Sequence, residues 1–361
     1  MNDMEERLAA WLAGQIEGAG TVELDGIDRA EMGHSAETLN VTISWTNRDG
    51  QHQKEAVIRI RPPAPGLLEP YDLSRQFRVL QALEPTPVKA PRPLWLEPTG
   101  DVIGREFYVM ERLPGRVYEQ GYPDELAMDA ARLGRMCSGL VEQLSAVHNL
   151  DLATTGLDQL GDGRDYLTRE LDHWSGEIDR MRRGPVPALD QLAAALRQSH
   201  PDSSPDVTLV HGDAKPGNFA FVDGEVTAVF DWEMAAVGDP MADIGWAEVN
   251  WAMPGCFASA PRAPSADKLV RRWQELTGIT PHDRPWYRAF QLYKMVAIMF
   301  VGGQLVDRGH SQDLRLLHMA YGIRSFTIQA LGELGIDDAA DSGAVLPRKE
   351  RIAQIMDSQP K

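Results

Sequence analysis

The chain has 361 residues, of which 43% are hydrophobic and 25% charged, and its formal net charge is −17. The length suits two domains or one large bilobal domain, and the composition is that of an ordinary soluble globular protein. The negative charge argues against nucleic acid and against an anionic membrane surface as partners, because both would repel it. A cationic substrate would suit this charge, although acidic surfaces more often serve solubility.

Cysteine usage and the N-terminal residues both indicate a cytoplasmic protein. The two cysteines, Cys137 and Cys256, form no metal-binding spacing, so we interpret both as buried free thiols in a reducing compartment. Residues 1–10 are acidic and lack a basic stretch before an apolar one, so no signal peptide is expected. The longest apolar run, residues 295–301, is far too short to span a bilayer, so no membrane partner is expected.

The first hundred residues predict short helices and a mainly β region. Apolar residues between Leu8 and Ile16 recur at the helical period. Residues 39–45 alternate apolar and polar side chains, and residues 47–50 then predict a tight turn into a second strand. The expected elements are a helix over residues 5–16, strands over 39–45 and 55–60, a helix over 73–83, and strands over 91–96 and 106–112.

Beyond Pro114-Gly115, which ends the last of these strands, the chain becomes mainly helical. We place the lobe boundary near residue 113, which gives domains over residues 1–113 and 114–361. Ser265 suits the N-cap position of one of the later helices. The expected helices cover residues 124–148, 164–181, 189–198, 266–276, 286–300 and 313–332.

A polar loop between two short apolar runs lies between the predicted helices over residues 189–198 and 266–276. The runs are Leu209-Val210 and residues 219–221, and the loop spans residues 211–218. A tight turn at Asp223-Gly224 leads into a β-branched strand that delivers Asp231 at its end. Loops held between strands give a site the rigid backbone that it needs.

The side chains of this stretch have the chemistry of a magnesium–phosphate site. In kinases one carboxylate faces the attacking hydroxyl, while an Asn and a second carboxylate hold Mg²⁺. The kinase loop H-R-D-x-x-x-x-N places its Asn five residues after its Asp, and Asn218 follows Asp213 at the same offset, with Gly212 in place of the Arg. Lys215 lies where its ammonium can reach the transferred phosphoryl group. The pattern predicts phosphoryl transfer; acids that merely cap turns of a hairpin are the alternative.

The joint pattern of H-G-D-x-K-P-G-N, D-W-E and G-D-P-x-x-D resembles the aminoglycoside phosphotransferase-like kinases, closest to the branch that is fused to some acyl-CoA dehydrogenases. The resemblance extends from about residue 33 to the C-terminal helices. It implies an α+β, bilobal protein-kinase-like fold, with a five-stranded antiparallel sheet plus one helix in the small N-terminal lobe and a larger, mainly helical C-terminal lobe. It also implies ATP, with GTP as the alternative donor, and Mg²⁺ as cofactors.

In the C-terminal lobe the catalytic residues would be Asp213, which orients the acceptor hydroxyl, and Lys215, which neutralises charge on the transferred group. Asn218 and Asp231 would hold Mg²⁺, which prefers oxygen ligands. By resemblance Asp243 braces the catalytic loop and does not touch the substrate. Three further residues are left with less direct roles: His211 fixes the loop, His148 packs or caps a helix, and Glu233 either supports the metal site or is solvated.

In the N-terminal lobe Ser35 matches the family's phosphate-covering loop, although a Gly before a strand is also found in simple turns. Backbone groups near Glu111 and Leu113 would pair with the edge of the adenine. Both assignments describe nucleotide-binding contacts.

Arg59 stands where kinases carry the strand Lys that pairs with the α- and β-phosphates. Arg keeps this chemistry, since it is always charged and grips phosphate with two donors; a cation on a solvated strand face is the alternative. The helix Glu that should orient this cation is replaced by Gln76. Either the amide suffices or a carboxylate elsewhere, for example Glu69, helps.

The function that we expect is an ATP- and Mg²⁺-dependent small-molecule kinase acting on a hydroxyl of an aminoglycoside-like compound, an amino alcohol or a hydroxyacyl-CoA. A catalytically decayed nucleotide-binding protein is the second hypothesis, because of Gln76 and Arg59. A metal-dependent hydrolase is the third, although its ligands lack the usual histidines; they would be His211, Asp213, Asp231 and Asp239. The sequence leaves the acceptor open, and also whether the chain is a monomer or a homodimer.

Overall fold

The computed structural model describes residues 3–29, 37–119, 121–201 and 206–352, which form two compact units. The first unit comprises Met1–Arg116 and two later segments, Ala220–Val222 and Thr227–Glu233. The second unit comprises Val117–Phe219, Asp223–Val226 and Met234–Lys361. The lobe boundary near residue 113 remains a prediction. The later segments mean that Asp231, and the end of the strand leading to it, belong to the first unit.

A five-stranded antiparallel sheet forms the centre of the first unit, as predicted. Its strands run in the order β1-β2-β3-β5-β4. They are β1 (Val22–Arg29), β2 (Glu37–Asn47), β3 (Gly50–Ile60), β4 (Pro93–Glu97) and β5 (Phe107–Glu111). Alternation in β2 buries Leu39, Val41 and Ile43 on one face. These side chains belong to the core that the sheet shares with the N-terminal helix.

Two details of this sheet differ from the sequence-based expectation. The edge strand β1 was not located, because Asp25-Gly26 interrupts its apolar pattern and its register shifts by a bulge between Asp25 and Asp28. The hairpin of β2 and β3 is also longer than predicted, since pairing continues as far as Asn47 opposite Gly50. Polar residues such as those of the outer half of β3 carry no burial signal, so their strand conformation is set by cross-strand pairing.

Two helices accompany the sheet. The first, α1 (Asp3–Gln15), buries Leu8 and Leu12, which are both 0% exposed, and sets Trp11 edge-on against Phe107 with ring centroids 4.8 Å apart. The second, α2 (Leu73–Leu83), begins after Asp72, whose side chain accepts a hydrogen bond from the N–H of Arg75. This cap satisfies one of the otherwise unpaired donors of the first turn.

The predicted helices of the second unit are all present in the predicted order, but two of them are broken, and two further helices, over residues 152–155 and 241–251, were not predicted. The segment predicted over 124–148 is split at Asp129, whose side chain caps the longer helix by accepting from the N–H of Arg132. The segment predicted over 313–332 is split at Tyr321-Gly322. The helices are α3 (Asp124–Met128), α4 (Ala130–His148), α5 (Leu152–Thr155), α6 (Tyr166–Met181), α7 (Pro187–Gln198), α8 (Met241–Trp251), α9 (Ala266–Thr277), α10 (Arg284–Asp307), α11 (Leu314–Ala320) and α12 (Ile323–Glu333).

Helix α10 is the longest of these helices, and most of its residues are buried. Its length and composition would allow it to cross a membrane, but 89% of its most apolar window is buried inside the structure. It packs on α8, α12, α11 and α6. This is how the core helix of a globular unit is surrounded.

Short strands present the polar loop that the sequence singled out. Strand β7 (Thr208–Val210) pairs antiparallel with β10 (Ala236–Gly238). Strands β8 (Phe219–Val222) and β9 (Glu225–Val229) form a sheet with β6 (Arg116–Val117). The turn between β8 and β9 has positive φ at Asp223 (+52°) and Gly224 (+87°), as an Asp-Gly hairpin requires. Ser265, as predicted, caps α9 by accepting from Lys268.

We expect Phe107→Ala to destabilise the first unit by about 3–5 kcal/mol, because it removes a buried ring and leaves a cavity against Trp11. The free energy of unfolding would be measured by urea titration followed by circular dichroism. Ile328→Ala, at a side chain that is 45% exposed, is the control and should cost less than about 0.5 kcal/mol. Equal losses in the two variants would contradict this description of the core.

Candidate active site

The polar loop begins directly after β7, whose Leu209 and Val210 are fully buried. Gly212 adopts a φ of +79°, which side-chain-bearing residues rarely take. A Cβ at this position would lie 2.5 Å from the carbonyl oxygen of Met234. Glycine therefore stands where the kinase loop has Arg because this turn leaves no room for a side chain.

Asp243 holds the same turn from helix α8. Its carboxylate is fully buried and accepts hydrogen bonds from the N–H groups of His211 (2.7 Å) and Gly212 (2.8 Å). Burial alone would raise the pKa of Asp243. The side-chain hydrogen bond from His148 and the electrostatic and backbone hydrogen-bond interactions with His211 outweigh burial, so the pKa lies below its ordinary value. The brace predicted for Asp243 is thus a buried, ionised carboxylate.

His148 completes the support behind Asp243. The indole N–H of Trp273 points at Nδ1 of His148 at 2.9 Å, and an indole N–H can only donate. Nδ1 therefore accepts, which puts the imidazole proton on Nε2, 3.1 Å from Oδ2 of Asp243. His148 is a buried hydrogen-bond donor to the brace, consistent with the packing role predicted for it.

Three of the predicted site residues lie together at the end of this turn. Asn218 donates its Nδ2 to the carbonyl oxygen of Asp213 (2.7 Å) and to Oδ2 of the same residue (2.8 Å). Lys215 places Nζ 3.6 Å from Oδ2 of Asp213 and 3.4 Å from Glu119. Pro216 opens the short 3₁₀ turn that returns Asn218 towards Asp213. The result is a carboxylate, a cation and an amide within one loop.

Two further residues predicted for the site, Asp231 and Arg59, belong to the first unit. Asp231 follows β9 at a φ of +66°, and residues 232–234 form a 3₁₀ turn in which Trp232 donates to the carbonyl oxygen of Val229 (3.0 Å). A non-glycine residue at positive φ stores strain that tertiary contacts must offset. The contact here is with Arg59 of β3, whose guanidinium lies 2.6 Å from Asp231 and 3.0 Å from Glu233.

The pairing of Arg59 with two acids fixes its charge. Burial alone would lower the pKa of Arg59, but the charges of Asp231 and Glu233 raise it well above its ordinary value. The neighbouring hydroxyl of Tyr108 is buried as well, which raises the pKa of Tyr108 to about 12. Both groups therefore keep their protons at neutral pH, and Arg59 remains a cation.

Sequence reasoning missed the part played by Glu233. Gln76, which replaces the helix Glu, accepts a hydrogen bond from Tyr108 (3.3 Å), and Glu69 accepts from the backbone of Gly66 and Tyr71. The carboxylate that partners Arg59 beside Asp231 comes instead from Glu233, whose side chain is only 8% exposed. The signal was the D-W-E motif itself, which offers a second acid two residues after Asp231.

The predicted nucleotide contacts at the end of β5 are only partly described. The N–H of Glu111 donates to the carbonyl oxygen of Arg92, and its carboxylate accepts from the N–H of Arg92 (both 2.9 Å). Leu113 is half-buried in the segment that follows. Ser35 lies outside the described residues. The contacts of these residues with a nucleotide remain predictions.

The residues of the hydrolase hypothesis do not form one centre in the described parts of the chain. Asp239 uses its two oxygens to accept from the N–H of Met241 and from the hydroxyl of Tyr287. His211 uses Nδ1 to accept from the N–H of Asp213 (3.1 Å). Among the described residues, moreover, no group of three or more His, Cys, Asp or Glu side chains is arranged to hold a metal ion.

Comparison with known families agrees with the motifs. The model of the phosphotransferase enzyme family, APH, matches residues 32–280. Acyl-CoA dehydrogenase family member 11 of Rattus norvegicus is 29% identical over 296 residues, which are 78% of this chain and 37% of that protein. A probable acyl-CoA dehydrogenase of Arabidopsis thaliana, IBR3, is 29% identical over 62% of this chain and 28% of its own length. The chain thus spans only 28–37% of the length of these two curated relatives.

Solved structures share the fold. A candidate aminoglycoside phosphotransferase from Ralstonia eutropha superposes with a TM-score of 0.73 at 26% identity, covering 91% of this chain and 98% of that one. Aminoglycoside phosphotransferase APH(4)-Ia in complex with ADP and hygromycin B gives a TM-score of 0.56 at 15% identity, over 93% and 99% of the two chains. The α+β protein-kinase-like fold is therefore confirmed.

We expect Asp243→Asn to destabilise the second unit by about 3 kcal/mol or more, because the N–H groups of His211 and Gly212 donate to different oxygens of Asp243 and the amide replaces one of these oxygens by an NH₂ donor. The folded-state pKa of Asp243 is lowered, so its contribution is complete above the unfolded pKa and is lost as pH falls through the folded one. The difference in the free energy of unfolding between wild type and variant, measured by urea titration, should therefore shrink as the pH falls below the ordinary pKa of an Asp, about 4. A gap that is independent of pH would contradict this assignment.

Proposed function

Because this chain belongs to the phosphotransferase enzyme family, we propose that it transfers the γ-phosphoryl group of ATP, with Mg²⁺, to a hydroxyl group of a small acceptor. The arrangement that supports this most directly is the loop in which Asp213, Lys215 and Asn218 contact one another. Its residue types and spacing are those of a kinase catalytic loop.

Asp213 is the group that meets the acceptor. Its carboxylate is held by Asn218 and lies near a cation, so it points in one direction at no further entropic cost. It would orient the acceptor hydroxyl and take its proton late, because the transition state of phosphoryl transfer is loose. Lys215 would neutralise charge on the phosphoryl oxygens during transfer.

The predicted metal ligands offer suitable atoms. Asn218 turns its amide nitrogen to Asp213, which leaves its oxygen as the atom that can face a cation. Asp231 supplies a carboxylate held by Arg59. Hard oxygen donors of this kind are what Mg²⁺ takes from proteins, usually with phosphate oxygens and water as its remaining ligands. When bound, the ion would neutralise phosphate charge and hold the nucleotide phosphates in place.

Arg59 is the proposed phosphate contact of the first unit. In the structure it is paired with Asp231 and Glu233, so its guanidinium is already oriented. Known structures of the same fold contain ADP, AMP-PNP or GDP, which supports a purine nucleotide as donor, ATP or GTP. The pairing also removes the main motive for the hypothesis of a decayed site, since a carboxylate beside Arg59 takes over the charge that Gln76 lacks.

The acceptor is the open part of the proposal. Structural neighbours are named for aminoglycosides and a macrolide, whereas the curated relatives are named as acyl-CoA dehydrogenases. We therefore propose to screen cationic antibiotics, amino alcohols and hydroxyacyl-CoA esters with ATP and with GTP, detecting the phosphorylated acceptor by mass spectrometry. Phosphate release without a phosphorylated acceptor would favour the hydrolase instead.

A cytoplasmic location, and a monomer or homodimer, are part of the same proposal.

Asp213→Asn should lower kcat by about 10²- to 10⁴-fold, because the amide keeps the shape but cannot accept the hydroxyl proton. Nucleotide affinity, measured by calorimetry, should stay within about threefold of wild type, since Asp213 faces the acceptor. The control is Asp223→Asn in the exposed hairpin turn, where Asn also tolerates the positive φ. Full activity in Asp213→Asn would exclude this residue as the catalytic group.

Arg59→Met should weaken nucleotide binding by about 10- to 100-fold, as expected for the loss of charged hydrogen bonds to phosphate. Arg61→Met is the matched control. Its Arg lies two residues further along, is paired with Glu106 and is 36% exposed. The two dissociation constants would be measured with and without Mg²⁺. Equal affinities in both variants would count against Arg59 as a phosphate contact.

A further inference from the structure

Lys294 is a buried cation to which the proposed reaction assigns no role so far. It lies in the middle of α10 and is 2% exposed. Its Nζ donates a hydrogen bond to the carbonyl oxygen of Gly212 and lies 5.0 Å from the centre of the Trp246 ring. A buried ammonium is costly unless its donors and charge are matched. Here the carbonyl oxygen and the aromatic face supply part of that match.

The hydrogen bond of Lys294 completes the support of the catalytic turn. Asp243, which lies on α8, accepts hydrogen bonds from the N–H groups of His211 and Gly212. Lys294, which lies on α10, donates a hydrogen bond to the carbonyl oxygen of Gly212. The turn is thus held by a buried anion on its N–H groups and a buried cation on its carbonyl group.

The atom that Lys294 contacts belongs to the peptide group that leads into Asp213. The other polar atom of that peptide, the N–H of Asp213, donates to Nδ1 of His211 at 3.1 Å. A peptide group is planar, so fixing its oxygen and its N–H fixes the orientation of the whole plane. The plane in turn sets the direction in which the side chain of Asp213 leaves the backbone.

We propose that Lys294 is a positioning residue for catalysis, which locks the Gly212–Asp213 peptide and thereby aims the Asp213 carboxylate at the acceptor hydroxyl. This role rests on the proposed kinase function. Lys294 does not touch substrate, so its removal should lower kcat and leave nucleotide affinity unchanged. A shift of about 1 Å in a reacting group is enough to slow an enzyme about 100-fold.

The test compares Lys294→Met with Gln304→Met on the same helix. Met keeps the apolar stem of Lys and removes the ammonium. Gln304 is also fully buried and polar, but it contacts Arg183 and lies ten residues, or about 15 Å, further along α10. We expect kcat to fall by about 10- to 100-fold in Lys294→Met and to stay within about twofold in Gln304→Met. Nucleotide affinity should match wild type in both.

A second variant and a second measurement separate positioning from loss of stability. Lys294→Gln keeps a hydrogen-bond donor on a side chain that is one bond shorter, so it should recover part of the lost kcat. Hydrogen exchange measured by mass spectrometry should show faster exchange of the amides of residues 211–213 in Lys294→Met and unchanged exchange there in Gln304→Met. This measurement needs no substrate.

The outcomes distinguish this inference from the function on which it rests. A wild-type chain that phosphorylates none of the acceptors would put the kinase proposal in doubt, and the exchange rates would still test the lock on the turn. Wild-type kcat in folded Lys294→Met would overturn the role of Lys294 while the kinase proposal stands. Equal loss of kcat in Lys294→Met and Gln304→Met, or unchanged exchange at residues 211–213, would also overturn it.

Discussion

The structure of the catalytic loop depends on the burial of one carboxylate, that of Asp243. A fully buried, ionised group needs partners for its oxygens, and Asp243 finds them in two N–H groups of the loop and in His148. The loop has no regular backbone pairing at this point, so the same bonds satisfy donors that would otherwise be orphaned. The same hydrogen bonds therefore offset the cost of burying the charge of Asp243 and the cost of leaving the N–H groups of the loop unpaired. They lie next to Asp213, the proposed catalytic residue.

The charges in the first unit follow a similar logic. In protein kinases a carboxylate of a helix pairs with the strand cation that contacts the phosphates. This chain uses the 3₁₀ turn after β9 instead, which brings Asp231 and Glu233 to Arg59. Gln76, at the position of the helix carboxylate, accepts a hydrogen bond from Tyr108. The departure from the family pattern thus changes which element supplies the charge and keeps the charge itself.

Part of the fold was predictable because its signals are local. Alternation along β2, the Asp-Gly turn after β8 and the N-cap of Ser265 each depend on a few neighbouring residues, and all three are present. The edge strand β1 was missed because its bulge and glycine break the pattern, and pairing with β2 overrides that weak propensity. The break of the helix before α4 was missed because the apolar period continues through Asp129, which acts as a cap.

The sequence by itself determined the family, most of the helices and strands, and the loop that contains Asp213, Lys215 and Asn218, because motif spacing and hydrophobic period are local properties of the chain. Only the tertiary structure decided which groups face one another across long separations. Examples are Arg59 with Glu233, His148 with Asp243, and Lys294 with the carbonyl of Gly212. These contacts join residues far apart in sequence, and burial makes each one strong. Neither these contacts nor the tautomer of His148 follow from residue types alone, since both depend on which donor the fold places opposite which acceptor.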